Sequence, residues 1–148
     1  MNYSIGTVMT ANVISISEDR DIHMAESLMK VNNIRHLPIV NSNHELTGIL
    51  SARDIAKVKD KDKRIKSIMT SSVQIVKMTD DVKHAIEVML KNKICSVLVG
   101  QNEDIVGIVT TDDLLRLLAR IIENRENPEN ISMSSFFDES WSSRLSEG

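Results

Sequence analysis

The chain carries one pattern twice. Met9-Thr10 through Ile55 and Met69-Thr70 through Leu114 align at an offset of sixty positions, Met9 on Met69. Val13 then falls on Val73, Asp21 on Asp81, Ala25 on Ala85, Met29 on Met89, Asn32 on Asn92 and Ile34 on Ile94. After a one-residue deletion the match resumes, with Gly48 on Gly107, Ile49 on Ile108 and Asp54 on Asp113. So long a period, repeated a single time, constrains the fold to two supersecondary units that bury faces against each other, not an open solenoid. It also implies an approximate two-fold axis, and therefore paired clefts.

A chain of 148 residues suits one domain, or two halves fused around one core. Aromatic residues make up 3% of it, and both Phe and the single Trp fall late, at Phe136, Phe137 and Trp141. The repeated region must therefore pack with Ile, Val, Leu and Met, which suits short strands and small helices. A formal net charge of −3 argues against general nucleic-acid binding. The single cysteine, Cys95, excludes an intrachain disulfide and gives no sign of secretion. No apolar run approaches the roughly 20 residues of a membrane span, and Met1-Asn2-Tyr3-Ser4 lacks the blocks of a signal peptide. A soluble, cytoplasmic protein is expected, without membrane contact.

Each repeat predicts the same order of elements. An extended piece (Val13 to Ile16; Val73 to Val76) leads to a polar cluster holding Asp19 or Thr79, both good helix N-caps. A helix follows, with Ile22, Ala25, Leu28 and Met29 on one face in the first copy and Val82, Ala85, Ile86 and Met89 in the second. Two β-branched runs then flank a polar turn, Leu37–Val40 with Leu46–Leu50 and Val97–Val99 with Ile105–Val109, which suits a hairpin. Asp54 and Asp113 open a second helix, where a negative charge favours the positive end of the helix dipole. The expected class is α/β (α+β), two βαββα motifs packed sheet to sheet with pseudo-two-fold symmetry. The expected divisions are an N-terminal segment 1–8, motif 1 at 9–58, a charged solvated linker at 59–66, motif 2 at 67–121 and a tail at 122–148. Pro128 in the polar stretch Asn124 to Asn130 should stop the last helix.

Ile34-Arg35-His36-Leu37-Pro38-Ile39-Val40, followed by Gly48-Ile49-Leu50-Ser51-Ala52-Arg53-Asp54-Ile55, closely resembles the CBS motif. The second copy, ending Gly107-Ile108-Val109-Thr110-Thr111-Asp112-Asp113-Leu114, resembles it more closely still. The resemblance covers about residues 7 to 121; no tetrapeptide in it is specific, but two copies in tandem are. It implies a stand-alone tandem pair, often called a Bateman module, in which adenine nucleotides bind in clefts between the motifs. Such modules act as regulatory sensors and commonly pair into discs of four motifs, so a homodimer is expected.

The residues support nucleotide binding on their own chemistry. A glycine ending a strand, Gly48 or Gly107, admits the close approach of a ligand or partner. The hydroxyl of Ser51 or Thr110 stands beside free backbone N–H groups at a helix start, where phosphate is favoured. One turn on, the two oxygens of Asp54 or Asp113 match two vicinal ribose hydroxyls. Plain N-capping by Ser51 and Thr110 would use the same residues, and spacing alone does not separate the two readings.

Carried over from the family, the ribose carboxylate comes from one motif and phosphate-facing residues often from the other. Thr110, Thr111 and Asp113 then share a cleft with Ile14, Arg35, His36 and Arg53. Ser51 and Asp54 share the second with Gln74, Cys95, Ser96 and, at its edge, Asp112. The first set offers two guanidiniums and an imidazole; the second offers a thiol, a hydroxyl and a carboxylate. Each charge-assisted contact to phosphate contributes about 1.5–3 kcal/mol, so losing two or three weakens binding by several powers of ten. A phosphorylated adenine nucleotide (AMP, ADP or ATP) should therefore prefer the Asp113 cleft. The Asp54 cleft should be weaker, empty, or used by a ligand without phosphates.

Nothing in the sequence assembles a catalytic constellation. No Ser lies in a nucleophile elbow and no Gly-rich P-loop follows a strand. Asp112 and Asp113, as helix neighbours, point roughly 100° apart and make a poor Mg²⁺ pair. His23, His44 and His84 lack ligand-like spacing, so no metal site and no obligatory cofactor are expected. Cys95 is expected to be a small buried hydrophobe. Two other functions stand beside the sensor: a constitutive dimerisation scaffold, or a regulator that meets a protein partner through residues 131–148. The acidic Asp138 and Glu139 argue against nucleic acid there.

Overall fold

The computed structural model describes residues 2–126; of the tail expected at 122–148, residues 127–148, with the helix stop expected at Pro128 and with Phe136, Phe137 and Trp141, lie outside the described residues. Residues up to Thr110 and those from Thr111 onward form two units. In the first, α1 (Ile5–Val8), β1 (Thr10–Ala11), β2 (Ile16–Ser17), α2 (Ile22–Asn32), β3 (His36–Val40), β4 (Leu46–Ser51) and α3 (Ala52–Ala56) come from the first copy. A single 3₁₀ turn, Ile65–Ser67, introduces the second copy, with β5 (Ile75–Lys77), α4 (Val82–Asn92), β6 (Ser96–Gln101) and β7 (Asp104–Thr110). The second unit holds α5 (Thr111–Glu126). This is the expected α+β arrangement of two βαββα motifs, with sheet orders β2-β3-β4 and β1-β7-β6-β5.

The two copies repeat down to single bonds. Both α2 and α4 bury three apolar side chains at helical spacing, Ile22, Ala25 and Met29 in one and Val82, Ala85 and Met89 in the other. Their N-caps differ from expectation. Asp21 accepts from the Met24 N–H at 2.8 Å and Asp81 from the Lys83 N–H at 2.9 Å. Asp19, two residues too early to cap, lies 3.8 Å from both Arg64 and Lys66. At the far ends Asn32 and Asn92 each donate from Nδ2 to the carbonyl four residues back, at 2.9 and 2.8 Å. Asn33 and Lys93 then turn left-handed, with φ of 53° and 54°. The extended pieces are also shorter and later than the apolar runs suggest. The ladders take Ile16–Ser17 and Ile75–Lys77, leaving Val13, Ile14, Val73 and Gln74 outside regular structure.

The leaders of the two motifs cross over. Ile5 donates its N–H to the Asp80 carbonyl and Gly6 to that of Met78, while Val82 donates to Tyr3. Sixty residues on, Ile65 donates to Arg20 and Lys66 to Glu18, while Ile22 donates to Lys63. The leader before motif 1 thus binds motif 2, and the leader before motif 2 binds motif 1. β1 continues this exchange by pairing antiparallel with β7, Thr10 opposite Ile108 and Ala11 opposite Gly107. Thr70 bridges Ile49 in the same way.

Ile5 and Ile65, the equivalent residues of the two leaders, are both fully buried. Ile65 belongs to the core cluster of motif 1, with Ile16, Ile22, Ala25, Met29, Leu37, Ile39, Leu50 and Ile55. The charged stretch before it is consequently held down, not free. His23 donates its N–H to the Lys61 carbonyl, and Lys61 pairs with Glu26 at 2.6 Å, which holds the Glu26 carboxyl below its usual range. Alternating charge hid an anchoring isoleucine.

The crossing also accounts for the repeated glycines. A Cβ on Gly48 would stand 2.8 Å from both Met69 Sδ and the Thr70 carbonyl oxygen. On Gly107 it would stand 2.5 Å from Met9 Sδ and 3.0 Å from the Thr10 carbonyl oxygen. What approaches these glycines is the crossing leader of the same chain. Gly48→Ala and Gly107→Ala should each lower stability by about 1–3 kcal/mol through overpacking. Urea melts check this: a reduced midpoint with unchanged slope is expected, and wild-type midpoints would show that the leaders yield freely.

Candidate functional site

The strand ends nearest the helix starts carry most of the expected ligand contacts. In motif 1, β3 and β4 pair so that His36 lies opposite Ser51. The Ala52 N–H donates to the Arg35 carbonyl at 2.8 Å, fixing the start of α3 against the start of β3. Arg35, His36, Ser51, Arg53 and Asp54 therefore gather at one end of this sheet, with both arginines exposed and His36 half-buried. In motif 2 the same register places Ser96 opposite Thr110. Ser96 is buried, whereas Cys95 beside it is exposed. That corrects the expectation of a buried thiol: Cys95 precedes the first residue of β6 and is not part of the apolar run that the strand buries.

Ser51 and Asp54 form a full capping box. Ser51 Oγ accepts from the Asp54 N–H at 3.1 Å. Asp54 Oδ2 in turn accepts from the Ser51 N–H at 3.0 Å and from the Ser51 hydroxyl at 2.8 Å. N-capping is thus real at this position, and it occupies one of the two carboxylate oxygens that a ribose would need. Within the second unit, Asp113 is held differently. It is 6% exposed, and Arg116 Nη1, one turn along α5, stands 3.4 Å from its Oδ1. Thr111, the first residue of α5, is exposed and Asp112 is half-buried.

A second difference between the copies lies in the backbone. In motif 2 the Leu98 N–H donates to the Gln74 carbonyl at 3.0 Å. The equivalent of Leu98 is Pro38, which has no N–H, so the carbonyl of Ile14 receives no such bond. The ladders report the same break: Ile75 pairs with Leu98, but β2 begins to pair with β3 only at Ile16 and Ile39. Pro38 thus sits where the parallel ladder of a central strand ends, the position a proline tolerates. Ile14, half-buried against the motif 1 core, keeps an acceptor that Gln74 has spent. Pro38 and Arg116 were not anticipated as contributors, although Pro38 facing Leu98 across the repeat was a readable signal.

Two βαββα motifs in tandem, with these helix-start residues, define the fold, and the comparison with known proteins assigns its family. A model of the CBS domain matches residues 5–61 and 65–120, so the chain belongs to the CBS-domain family. It is similar to the CBS domain pair of protein MJ0100, solved in complex with 5′-methylthioadenosine and S-adenosyl-L-methionine. That likeness has a TM-score of 0.75 and 31% identity, covering 80% of this chain and 98% of that one. Among curated proteins it is 31% identical over 110 residues to inosine-5′-monophosphate dehydrogenase of Methanocaldococcus jannaschii, covering 74% of this chain and 22% of the enzyme. It is also 31% identical over 130 residues to homoserine O-acetyltransferase of Methanobrevibacter ruminantium, covering 80% of this chain and 26% of the enzyme. The chain thus spans about a quarter of the length of these relatives. No described helix is long and apolar enough to cross a membrane.

Proposed function

We propose that this chain is a regulatory sensor of adenosine-containing ligands and not an enzyme. Its preferred ligand is an adenine nucleotide of the AMP, ADP or ATP class, contacted by Ile14, Arg35, His36, Arg53, Thr110, Thr111 and Asp113; the grouping across motifs follows the family resemblance. The open carbonyl of Ile14 carries this reading. A backbone acceptor freed by Pro38 suits an exocyclic amino group such as adenine's, and the exposed Arg35 and Arg53 supply cations for phosphate. Gln74 has already committed its carbonyl, and its set (Ser51, Asp54, Cys95, Ser96) has no cation. That second set suits a weaker or phosphate-free adenosyl ligand, and the MJ0100 pair, bound to 5′-methylthioadenosine and S-adenosyl-L-methionine, supports this class.

Ligand binding acts by differential affinity for two arrangements of the motifs, or of two copies in a homodimer, and a protein partner in the cytoplasm reads the change. Thermal melts with AMP, ADP, ATP, NADH, 5′-methylthioadenosine and S-adenosyl-L-methionine test the sensor. A ligand at 100 times its Kd adds about 2.7 kcal/mol, which is about 5–10 °C for a chain of this size. Unchanged melting with every ligand would leave a constitutive scaffold as the better reading.

A further inference from the structure

Two methionines hold equivalent places in the two leaders. The Met9 N–H donates to the Ile5 carbonyl at 2.9 Å, and the Met69 N–H to the Ile65 carbonyl at 3.0 Å. Each therefore stands between a fully buried isoleucine and the threonine that pairs with the opposite motif, Thr10 with Ile108 and Thr70 with Ile49. Each also lays its sulfur on a glycine. Met9 Sδ fills the space a Cβ on Gly107 would take, and Met69 Sδ fills that of Gly48. The two thioethers are the clasps by which the leaders grip their strands.

Both clasps reach solvent. Met9 and Met69 are half-buried, whereas Met29 and Met89 on the buried faces of α2 and α4 are only 5% and 6% exposed. A flexible thioether fills so irregular a gap well, but an accessible sulfur is open to oxidation, which makes the side chain polar and adds an oxygen. At these two positions the oxygen either enters a contact with no spare room or turns the sulfur off its glycine. In both cases the leader loses its grip. Cores filled beyond their room are destabilised in the same way.

We propose that Met9 and Met69 are paired modification sites for a peroxide, and that their sulfoxides loosen the exchanged leaders. One oxygen of the peroxide passes to Sδ: the O–O bond breaks, an S–O bond forms, and the other oxygen leaves as water. The sulfur gives up two electrons and the peroxide takes them. A methionine sulfoxide reductase reverses the step, releasing the oxygen as water while two of its thiols become a disulfide. The crossing of the leaders is then a reversible, oxidant-sensitive joint.

Hydrogen peroxide is the probe, with peptide mass spectrometry to place each sulfoxide and urea melts to read stability. Met24, 47% exposed on α2, should oxidise first and leave the midpoint unchanged. Met9 and Met69 should follow, and Met29 and Met89 should come last. Oxidation of Met9 and Met69 should shift the folding equilibrium about five- to a hundredfold toward the unfolded chain, as overpacking does. Reductase with thiol should restore the midpoint. The double variant Met9→Leu, Met69→Leu keeps the volume, the other six methionines and Cys95, and its midpoint should not respond to the same dose. Should the double variant lose its cooperative melt, Met9→Leu and Met69→Leu singly make the comparison, each protecting its own leader. Met9→Gln and Met69→Gln, polar and of similar length, should lower the midpoint without peroxide, and Met24→Gln should not. Sulfoxide at Met9 and Met69 with a wild-type midpoint overturns the proposal. So does oxidation of both only as slowly as Met29 and Met89. A leucine double variant that weakens as much as wild type also overturns it, and assigns the effect to Met78, which touches Gly6, or to Cys95.

Discussion

Asp113→Ala should abolish measurable adenine-nucleotide binding, while Asp54→Ala leaves most of it. On the proposed reading, the first variant removes two charge-assisted hydrogen bonds to ribose hydroxyls, about 1.5–3 kcal/mol each. Together that is about 3–6 kcal/mol, or two to four powers of ten in Kd. Asp54 starts from a weaker position because its Oδ2 is already engaged twice by Ser51, and because its companions bring no cation. Its removal should change the nucleotide Kd by about tenfold or less, within one weak contact. Calorimetric titration with the nucleotide that raises the melting temperature most would read both values. Since Asp113 is buried beside Arg116, Asp113→Asn is the companion variant: it keeps the volume and loses the charge. Strong binding retained in both Asp113 variants, with loss in Asp54→Ala, would reverse the assignment of the two clefts.

Ile5→Ala and Ile65→Ala should each cost about 2–5 kcal/mol of stability, the range for emptying a buried large side chain. Both isoleucines are fully buried although they lie in short leaders outside the main strands and helices. Such a loss is a large part of the roughly 5–15 kcal/mol that holds a domain folded. Lys59→Ala, an exposed change in the same charged stretch as Ile65, should stay within about 0.5 kcal/mol. Chemical denaturation of the three variants decides the matter. Were the stretch before motif 2 a solvated linker, Ile65→Ala and Lys59→Ala would behave alike.

Much of the fold was legible because the chain states it twice. The apolar faces of α2 and α4 follow a 3.6-residue period strong enough to survive any local ambiguity. The caps were misplaced because Asp19, Asp21, Thr79 and Asp81 are all good capping types. Only the start of the ladder and helix decides among them, although the coincidence of Asp21 with Asp81 pointed to the answer. The crossing of the leaders was not legible at all. Ile5 on Ile65 and Gly6 near Lys66 look like short unremarked segments, and nothing in a linear pattern says which motif a leader joins.

The candidate site was legible in its residue types and not in its backbone. Ser51 with Asp54 predicted a helix start, and the capping box confirms that local chemistry without deciding on a ligand. Cys95 misled because its composition class favours burial, whereas its position just before β6 exposes it. The open Ile14 carbonyl depends on a missing donor at Pro38, an effect of register that a comparison of side chains passes over.

The exchanged leaders have a consequence for what a half of this protein could be. A break in the chain between Lys57 and Lys63 would give two pieces, each carrying the leader that completes the other and lacking its own. Neither piece would close its own core, since Ile5 would leave with the first and Ile65 with the second. Mixed together, the pieces should refold as a pair. A chain of half this length, with one leader and one motif, would reach the same state only by lending its leader to an identical neighbour and receiving one back.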